Sequence, residues 1–192
     1  MSASIELTDL PFGLLVDERG ELRPATSKVE RRLSQMAGMY ADAEAERAAI
    51  ADGDPLVYEV HQYDMPQHPG ELVVCTTILH AGKVGEEFFM TKGHYHEVRD
   101  RGEVYYGLRG EGVLVLARND AAETVPIGPG VVAYVPPHWA HRTVNTGSEP
   151  FVFLAVYPGD AGHDYGTIET EGFPQSVVAR DGAVLVTRRE QA

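Results

Sequence analysis

The stretch that decides the fold is Gly93-His94-Tyr95-His96, followed by Glu103-Val104-Tyr105-Tyr106-Gly107-Leu108-Arg109-Gly110 and later by Pro136-Pro137-His138-Trp139-Ala140-His141-Arg142-Thr143-Val144-Asn145. In an extended chain side chains alternate, so His94 and His96 project to one side while Tyr95 turns away. Glu103 opens an aromatic and β-branched run that reads as a strand. This predicts a carboxylate carried across from the two imidazoles on the neighbouring strand, with Tyr105 facing the same interior two residues on. His141 follows a proline-stiffened turn. Three imidazoles and one carboxylate form a borderline ligand set that suits divalent Fe, Mn, Ni, Co or Zn; Ca and Mg prefer oxygen shells. On a metal that accepts six ligands the set leaves two positions open, as a catalytic metal needs.

Working outward, a period of two dominates from Leu56 onward. Residues 56–61, 71–79, 103–108, 112–117, 131–135, 142–145 and 151–157 are runs of strand-forming residues. Arg109-Gly110-Glu111-Gly112, Gly128-Pro129-Gly130 and Asn145-Thr146-Gly147-Ser148 supply tight turns between them. Many short strands without alternating helices predict an all-β antiparallel sandwich or barrel. Upstream, Ser27-Lys28-Val29-Glu30 has the form of a capping box, and Val29, Leu33, Met36 and Tyr40 share one helical face. A helix is expected there, weakened at Gly38, with Arg31 and Arg32 solvated on its exposed side. A second helical piece over 42–50 stops at Asp52-Gly53-Asp54-Pro55. Residues 1–24 read as an extended arm with one short hairpin, and 176–180 with 183–188 as a hairpin turning at Asp181-Gly182.

Composition narrows the function. The 192 residues suit one domain with a sizeable core. With 16 Lys and Arg against 29 Asp and Glu, the net charge of -13 argues against nucleic-acid and anionic-membrane surfaces, so an anionic substrate must find a local donor pocket. Cys75 is the single cysteine, which rules out an intrachain disulfide and fits a reducing compartment. The N-terminal residues lack the basic and apolar blocks of a signal peptide, and no apolar run approaches the ~18 residues of a membrane span. A soluble, cytoplasmic protein is expected.

The spacings Gly93-His94-x-His96-x6-Glu103-x6-Gly110 and Gly130-x5-Pro136-x4-His141-x3-Asn145 resemble the two cupin motifs. The connection from His96 to Glu103 is slightly long, and His138 stands where the second motif usually has glycine. The likeness goes further. Glu87-Phe88-Phe89-Met90-Thr91-Lys92-Gly93-His94, Tyr134-Val135-Pro136-Pro137 and Tyr157-Pro158-Gly159-Asp160-Ala161-Gly162-His163-Asp164-Tyr165-Gly166-Thr167-Ile168 resemble the cupin-type, or archaeal-type, glucose-6-phosphate isomerases. So do Arg31-Arg32-Leu33-Ser34, Gly53 to Val60 and Pro150 to Ala155, leaving only the termini and 117–124 generic.

The resemblance implies an all-β cupin double-stranded β-helix, a jelly-roll barrel with a short N-terminal helical segment. One domain would span 1–192, with an arm and helices over 1–55, the barrel over 56–160 and a loop and hairpin over 161–192. It implies His94, His96, Glu103 and His141 as ligands of one divalent metal ion per subunit, Fe2+ foremost, with Mn2+, Ni2+ or Zn2+ accepted. It also implies Tyr58, Thr77, Thr91, Gly93 and Tyr157 as substrate or phosphate contacts, with Tyr105, His163 and Tyr165 beside the sugar, and a homodimer. Glu103, His163 and Tyr105 are the expected catalytic groups. Glu103 would shuttle a proton between C1 and C2 through an enediol, in competition with a hydride shift, and His163 would assist ring opening. The competing readings are an iron-dependent cupin dioxygenase and a non-catalytic sugar-binding cupin. His61, His68 and His80 read as structural or exposed, His138 as a loop residue near the pocket mouth, and Lys83 and Lys92 as solvated charges.

Overall fold

The computed structural model describes residues 11–119 and 121–189. The chain runs β1 (Leu15–Val16), β2 (Leu22–Arg23), β3 (Ser27–Arg32), a 3-10 turn at Leu33–Met36, α1 (Ala43–Ala51), β4 (Leu56–Tyr63), β5 (Leu72–Leu79), β6 (Lys83–Val84), β7 (Glu87–Phe88), β8 (Glu103–Arg109), β9 (Gly112–Arg118), β10 (Ala121–Ile127), β11 (Val132–Val135), β12 (Ala140–Asn145), β13 (Phe151–Pro158), α2 (Gly166–Glu171), β14 (Gln175–Arg180) and β15 (Ala183–Arg188). One layer is a six-stranded antiparallel sheet in the order β11-β8-β13-β5-β4-β3. The other is built from β10-β9-β12 and β15-β14-β7-β6, with the stretch leading to His94 tied to β12 through the Met90↔Val144 and His94↔His141 bridges. The apolar core lies between them, with Leu79, Leu114, Phe151 and Phe153 fully buried. This is the all-β antiparallel architecture expected from the strand pattern.

The expected helix from Ser27 does not form. Residues 27–32 are β3, paired with β4 from Ser27↔Gln62 to Arg32↔Leu56, and only Leu33–Met36 turns helically. The Ser27 hydroxyl, instead of capping a helix, donates to Asp64 Oδ1 at 2.9 Å. A whole ladder of backbone bonds to β4 outweighs the small helical preference of six residues. The second helical piece is present as α1, capped by Asp42, whose side chain accepts from the Ala45 N–H at 2.9 Å.

The short β6 and β7 were not foreseen, nor were two longer elements. β10 pairs with β9 along its whole length, although Ala121, Ala122 and Glu123 show no strand-like alternation and Pro126 marks it as an edge. α2 grows out of the glycine-rich loop after Tyr165. The tail hairpin turns as expected, with Asp181 (φ 52°) and Gly182 (φ 77°) both left-handed. The short hairpin of the arm is β1 with β2, and residues 1–10 of the arm lie outside the described residues. The arm lies on the outer face of the large sheet, where Leu22 is buried and Gly20 approaches Val152 so closely that a Cβ would come within 2.4 Å.

Candidate functional site

Because strand side chains alternate, the large sheet sends one set inward, and these line a cavity of about 250 Å³. Val29 and Arg31 come from β3, Tyr58, Val60 and Gln62 from β4, Cys75 and Thr77 from β5, Phe153, Ala155 and Tyr157 from β13, and Glu103 and Tyr105 from β8. The opposite wall is Thr91, Gly93, His94, His141 and Thr143, with His163 and Tyr165 exposed at the mouth.

At one end of the cavity His94, His96, Glu103 and His141 offer one donor atom each, all within 4.8 Å of one another. His94 and His141 are locked by a reciprocal backbone pair, 3.1 and 3.0 Å long. His96 Nδ1 faces the Arg101 carbonyl at 2.9 Å and His141 Nδ1 the Trp139 carbonyl at 3.3 Å, which turns both Nε2 atoms inward. Glu103 Oε2 is 3.2 Å from His96 Nε2 and 2.9 Å from His141 Nε2. The His94 and His141 Nε2 atoms are buried and lack a hydrogen-bond partner among the described residues, the latter because the short approach to Glu103 is poorly aligned. Buried imidazole nitrogens without donors, converging with a carboxylate on one point, fit a metal ion. The ligand pair was expected on a strand beside that of Glu103. Instead His94 and His96 lie outside regular strands, and β8 pairs with β11 and β13; the 97–102 turn brings the two together.

The electrostatics agree with this geometry. Burial by itself would raise the Glu103 carboxyl, but the His141 and His96 imidazoles outweigh it and hold it at about 2. Burial, reinforced by His141, His163 and His96, pushes His94 well below the ordinary histidine value. Desolvation also lowers His163, whose ring turns into the cavity 4.5 Å from that of His94. Tyr105 is driven well up by burial and by the Glu103 charge.

Every residue put forward from the sequence except His96 lines the cavity, and His96 is sealed behind Glu103. Gly93 has φ 75°, and a Cβ there would lie 2.7 Å from the Phe173 ring and 2.9 Å from Arg142 Cβ, so only glycine lets its peptide face the cavity. Tyr95 turns away, as expected, and lies under the Arg99 guanidinium. His138 is not at the cavity mouth: it borders a separate outer cleft, and its φ of 69° explains why glycine usually occupies that position. His61 is buried, His80 pairs with Glu59, and His68 is exposed. Lys92 pairs with Glu169 and Lys83 lies over Phe88, both outside the cavity.

Arg31 was missed, because the helical reading placed it in solvent. On β3 it stands directly opposite Tyr58, its guanidinium donates to the Glu30 carbonyl at 3.2 Å, and it forms no salt bridge among the described residues. The Val29-x-Arg31 alternation was the available signal. Gln62, whose side chain accepts from the Tyr157 hydroxyl at 3.2 Å, was legible as the continuation of Tyr58-x-Val60-x-Gln62 on one face of β4.

Residues 30–192 match the family model described as glucose-6-phosphate isomerase. The chain belongs to the glucose-6-phosphate isomerase family. It is 50% identical over 177 residues to the glucose-6-phosphate isomerase of Thermococcus kodakarensis, covering 92% of this chain and 93% of that one. It is 51% identical over 178 residues to that of Thermococcus litoralis (92% and 93%) and 48% identical over 177 residues to that of Pyrococcus furiosus (92% and 94%). Among solved structures, a Bacillus subtilis oxalate decarboxylase overlays on 54% of this chain and 26% of its own at 24% identity and a TM-score of 0.44. As a member of its family the chain is an enzyme, an aldose–ketose isomerase. No helix among the described residues is long and apolar enough to cross a membrane.

Proposed function

We propose that this isomerase interconverts glucose 6-phosphate and fructose 6-phosphate with one divalent metal ion held by His94, His96, Glu103 and His141. Fe2+ is the first choice for this ligand set, with Mn2+, Ni2+ or Zn2+ accepted according to supply. Bound there, the ion would supply Lewis acidity to the C1 and C2 oxygens of the sugar. The observation that carries the reading is one cavity with four convergent candidate ligands at one end and, in its lining, the Arg31 guanidinium, which has no salt-bridge partner among the described residues.

The chain's own residues divide the remaining work. Arg31, the Tyr58 hydroxyl, Thr77, Thr91 and the Gly93 peptide hold the phosphate, and the guanidinium offers a local cation in an acidic protein. Tyr157, steadied by Gln62, and Tyr165 orient the sugar. Glu103, the carboxylate of the four-residue cluster, moves the proton between C1 and C2. Tyr105, kept protonated, donates to the developing oxyanion. His163, kept neutral at the mouth, accepts the anomeric hydroxyl's proton as the C1–O5 bond of the pyranose breaks and returns it to O5.

The deciding experiment is fructose 6-phosphate turnover on protein as isolated, after chelation, and after adding back Fe, Mn, Ni or Zn singly. Activity lost with the metal and restored by it is expected; turnover unaffected by complete chelation would remove the metal from the mechanism.

We also propose one cupin domain, a cytoplasmic enzyme and a homodimer. The outer face of the large sheet supports the dimer. Val104 and Tyr106 of β8, Val132 and Tyr134 of β11, Leu154 and Val156 of β13 and Val74 of β5 are cross-strand neighbours there, and none is charged. Among the described residues the arm lies over Val152 and along β4, and Val132 stays at 66% and Tyr134 at 58% exposure. An antiparallel sheet facing water normally alternates apolar with polar side chains, and a sheet apolar on both sides needs cover. A second copy meeting this patch about a two-fold axis would place no like charges against each other at its centre.

A further inference from the structure

The loops that carry the cavity residues have an outer side, and a cleft of about 540 Å³ opens there between Tyr95, Arg99, Arg118, Asn119, His138 and Thr167. Two guanidinium groups lie against aromatic rings at its edge: Arg99 Cζ is 4.0 Å from the Tyr95 ring centre and Arg118 Cζ is 4.8 Å from that of Trp139. Stacking occupies the face of a guanidinium and leaves its N–H edge free for a bidentate oxygen acceptor. Arg99 spends one nitrogen on Asp164 Oδ2 at 2.5 Å, while its other terminal nitrogen is buried without a partner among the described residues. Arg118 makes no salt bridge among the described residues. The His138 backbone N–H donates to the Arg99 carbonyl at 2.7 Å, which ties the two loops together at the cleft, and the His138 imidazole, the Thr167 hydroxyl and the Asn119 amide add polar groups to its lining. In a chain of net charge -13, two guanidiniums lining one cleft, with Asp164 the carboxylate that bonds to them among the described residues, are a local reversal of sign.

We propose that this cleft is a second anion site, distinct from the cavity, which takes a small phosphate-bearing molecule between Arg99, Arg118 and His138. Chemistry of this kind is met equally by free phosphate and by a phosphorylated metabolite. The cleft and the cavity share their walls. Tyr95 lies between His94 and His96, Trp139 precedes His141 by two residues, and Asp164 sits between His163 and Tyr165. An anion on Arg99 competes with Asp164 for the same guanidinium, and Asp164 also accepts from the Thr167 hydroxyl at 2.7 Å, so occupancy of the cleft loosens the segment that carries His163 and Tyr165.

Trp139 is the single tryptophan and lies under Arg118, so its fluorescence reports on the cleft. Metal-loaded protein titrated with inorganic phosphate at constant ionic strength should show a saturable fluorescence change, retained in Arg31→Met and weakened about tenfold or more in Arg118→Ser and in His138→Ala. Equilibrium dialysis of radiolabelled phosphate should count, beyond any equivalent held by the cavity, one bound equivalent that persists in Arg31→Met and disappears in the Arg31→Met, Arg118→Ser double variant; a fructose 6-phosphate titration of Arg118→Ser separately reads the cavity. Phosphate affinity unchanged in Arg118→Ser, a response lost with Arg31→Met, or no saturable binding in the native protein would overturn the second site. Loss of substrate binding in Arg31→Met bears only on the cavity, so the two readings fail separately.

Discussion

His94 and His141 hold each other by two backbone hydrogen bonds, His94 N–H to His141 O at 3.1 Å and His141 N–H to His94 O at 3.0 Å, and their rings meet at 4.4 Å. Residues 47 positions apart thereby share one small ladder, which aims two ligands before any metal binds. Preorganisation of this kind buries imidazoles that water would rather protonate.

The first prediction follows from that burial. The folded pKa of His94 lies below its unfolded value, so at low pH the unfolded chain binds the extra proton. The His94 contribution to the stability of the metal-free protein should therefore be complete above about pH 6.5 and be lost as the pH falls below that value, with a slope of at most ~1.4 kcal/mol per pH unit; His96, whose pKa burial would lower but Glu103 raises, acts with the opposite sign above it. Thermal melts of chelated protein between pH 7.5 and 5 measure it. His94→Asn should flatten the slope, and an identical slope in the variant would show that other groups cause it.

Glu103 is both ligand and proton carrier in the proposed mechanism. Glu103→Gln should lower turnover by about 10²–10⁴-fold even in samples whose metal content, measured separately, has been restored. Substrate deuterated at C2 tests the shuttle directly. Complete retention of label at C1 without exchange into solvent at low conversion would favour a hydride shift.

Arg31 should act on phosphate and little else. Arg31→Met is expected to raise the KM for fructose 6-phosphate by about 10–100-fold, the worth of a charge-assisted hydrogen bond, with a smaller change in kcat. Inhibition by a neutral sugar alcohol should stay as it was. A kcat loss as large as the KM rise would mean that the residue shapes the cavity instead.

Gly93→Ala combines a left-handed backbone with contact on the Phe173 ring and Arg142. The backbone penalty by itself is about 1–2 kcal/mol, enough to lower Tm by roughly 2–8 °C, and the steric contact adds to it. Phosphate affinity should fall with it, because the same peptide faces the substrate. Calorimetry and a KM measurement check both; a variant as stable as the parent would contradict the packing.

The outer sheet face gives the last prediction. Light scattering should find the native protein dimeric and Val132→Asp monomeric, since a charge would be buried at the centre of an apolar contact. A monomeric native protein, or a dimer untouched by the substitution, would place the interface elsewhere.

The sequence by itself determined the candidate metal cluster and most of the barrel. His94, His96, Glu103 and His141 stood out because ligand chemistry restricts residue types, and β4, β5, β8, β9, β12 and β13 because a half-buried strand must alternate. Asp42 at the start of α1 and Asp181-Gly182 in the tail hairpin were legible for the same reason: each is decided by contacts within a few residues. Tertiary structure decided the rest. Ser27 to Arg32 carried a convincing local signal for a helix, yet the ladder to β4 was worth more, and that choice turned Arg31 from solvent into the cavity. Nothing local in Ala121 to Thr124 asks for a strand; β10 exists because β9 offers it an edge. The turn over 97–102, and not a neighbouring strand, brings Glu103 to the histidines, and the left-handed backbone of His138 opens the outer cleft. These outcomes rest on pairings between residues far apart in the chain, whose energies no short stretch contains.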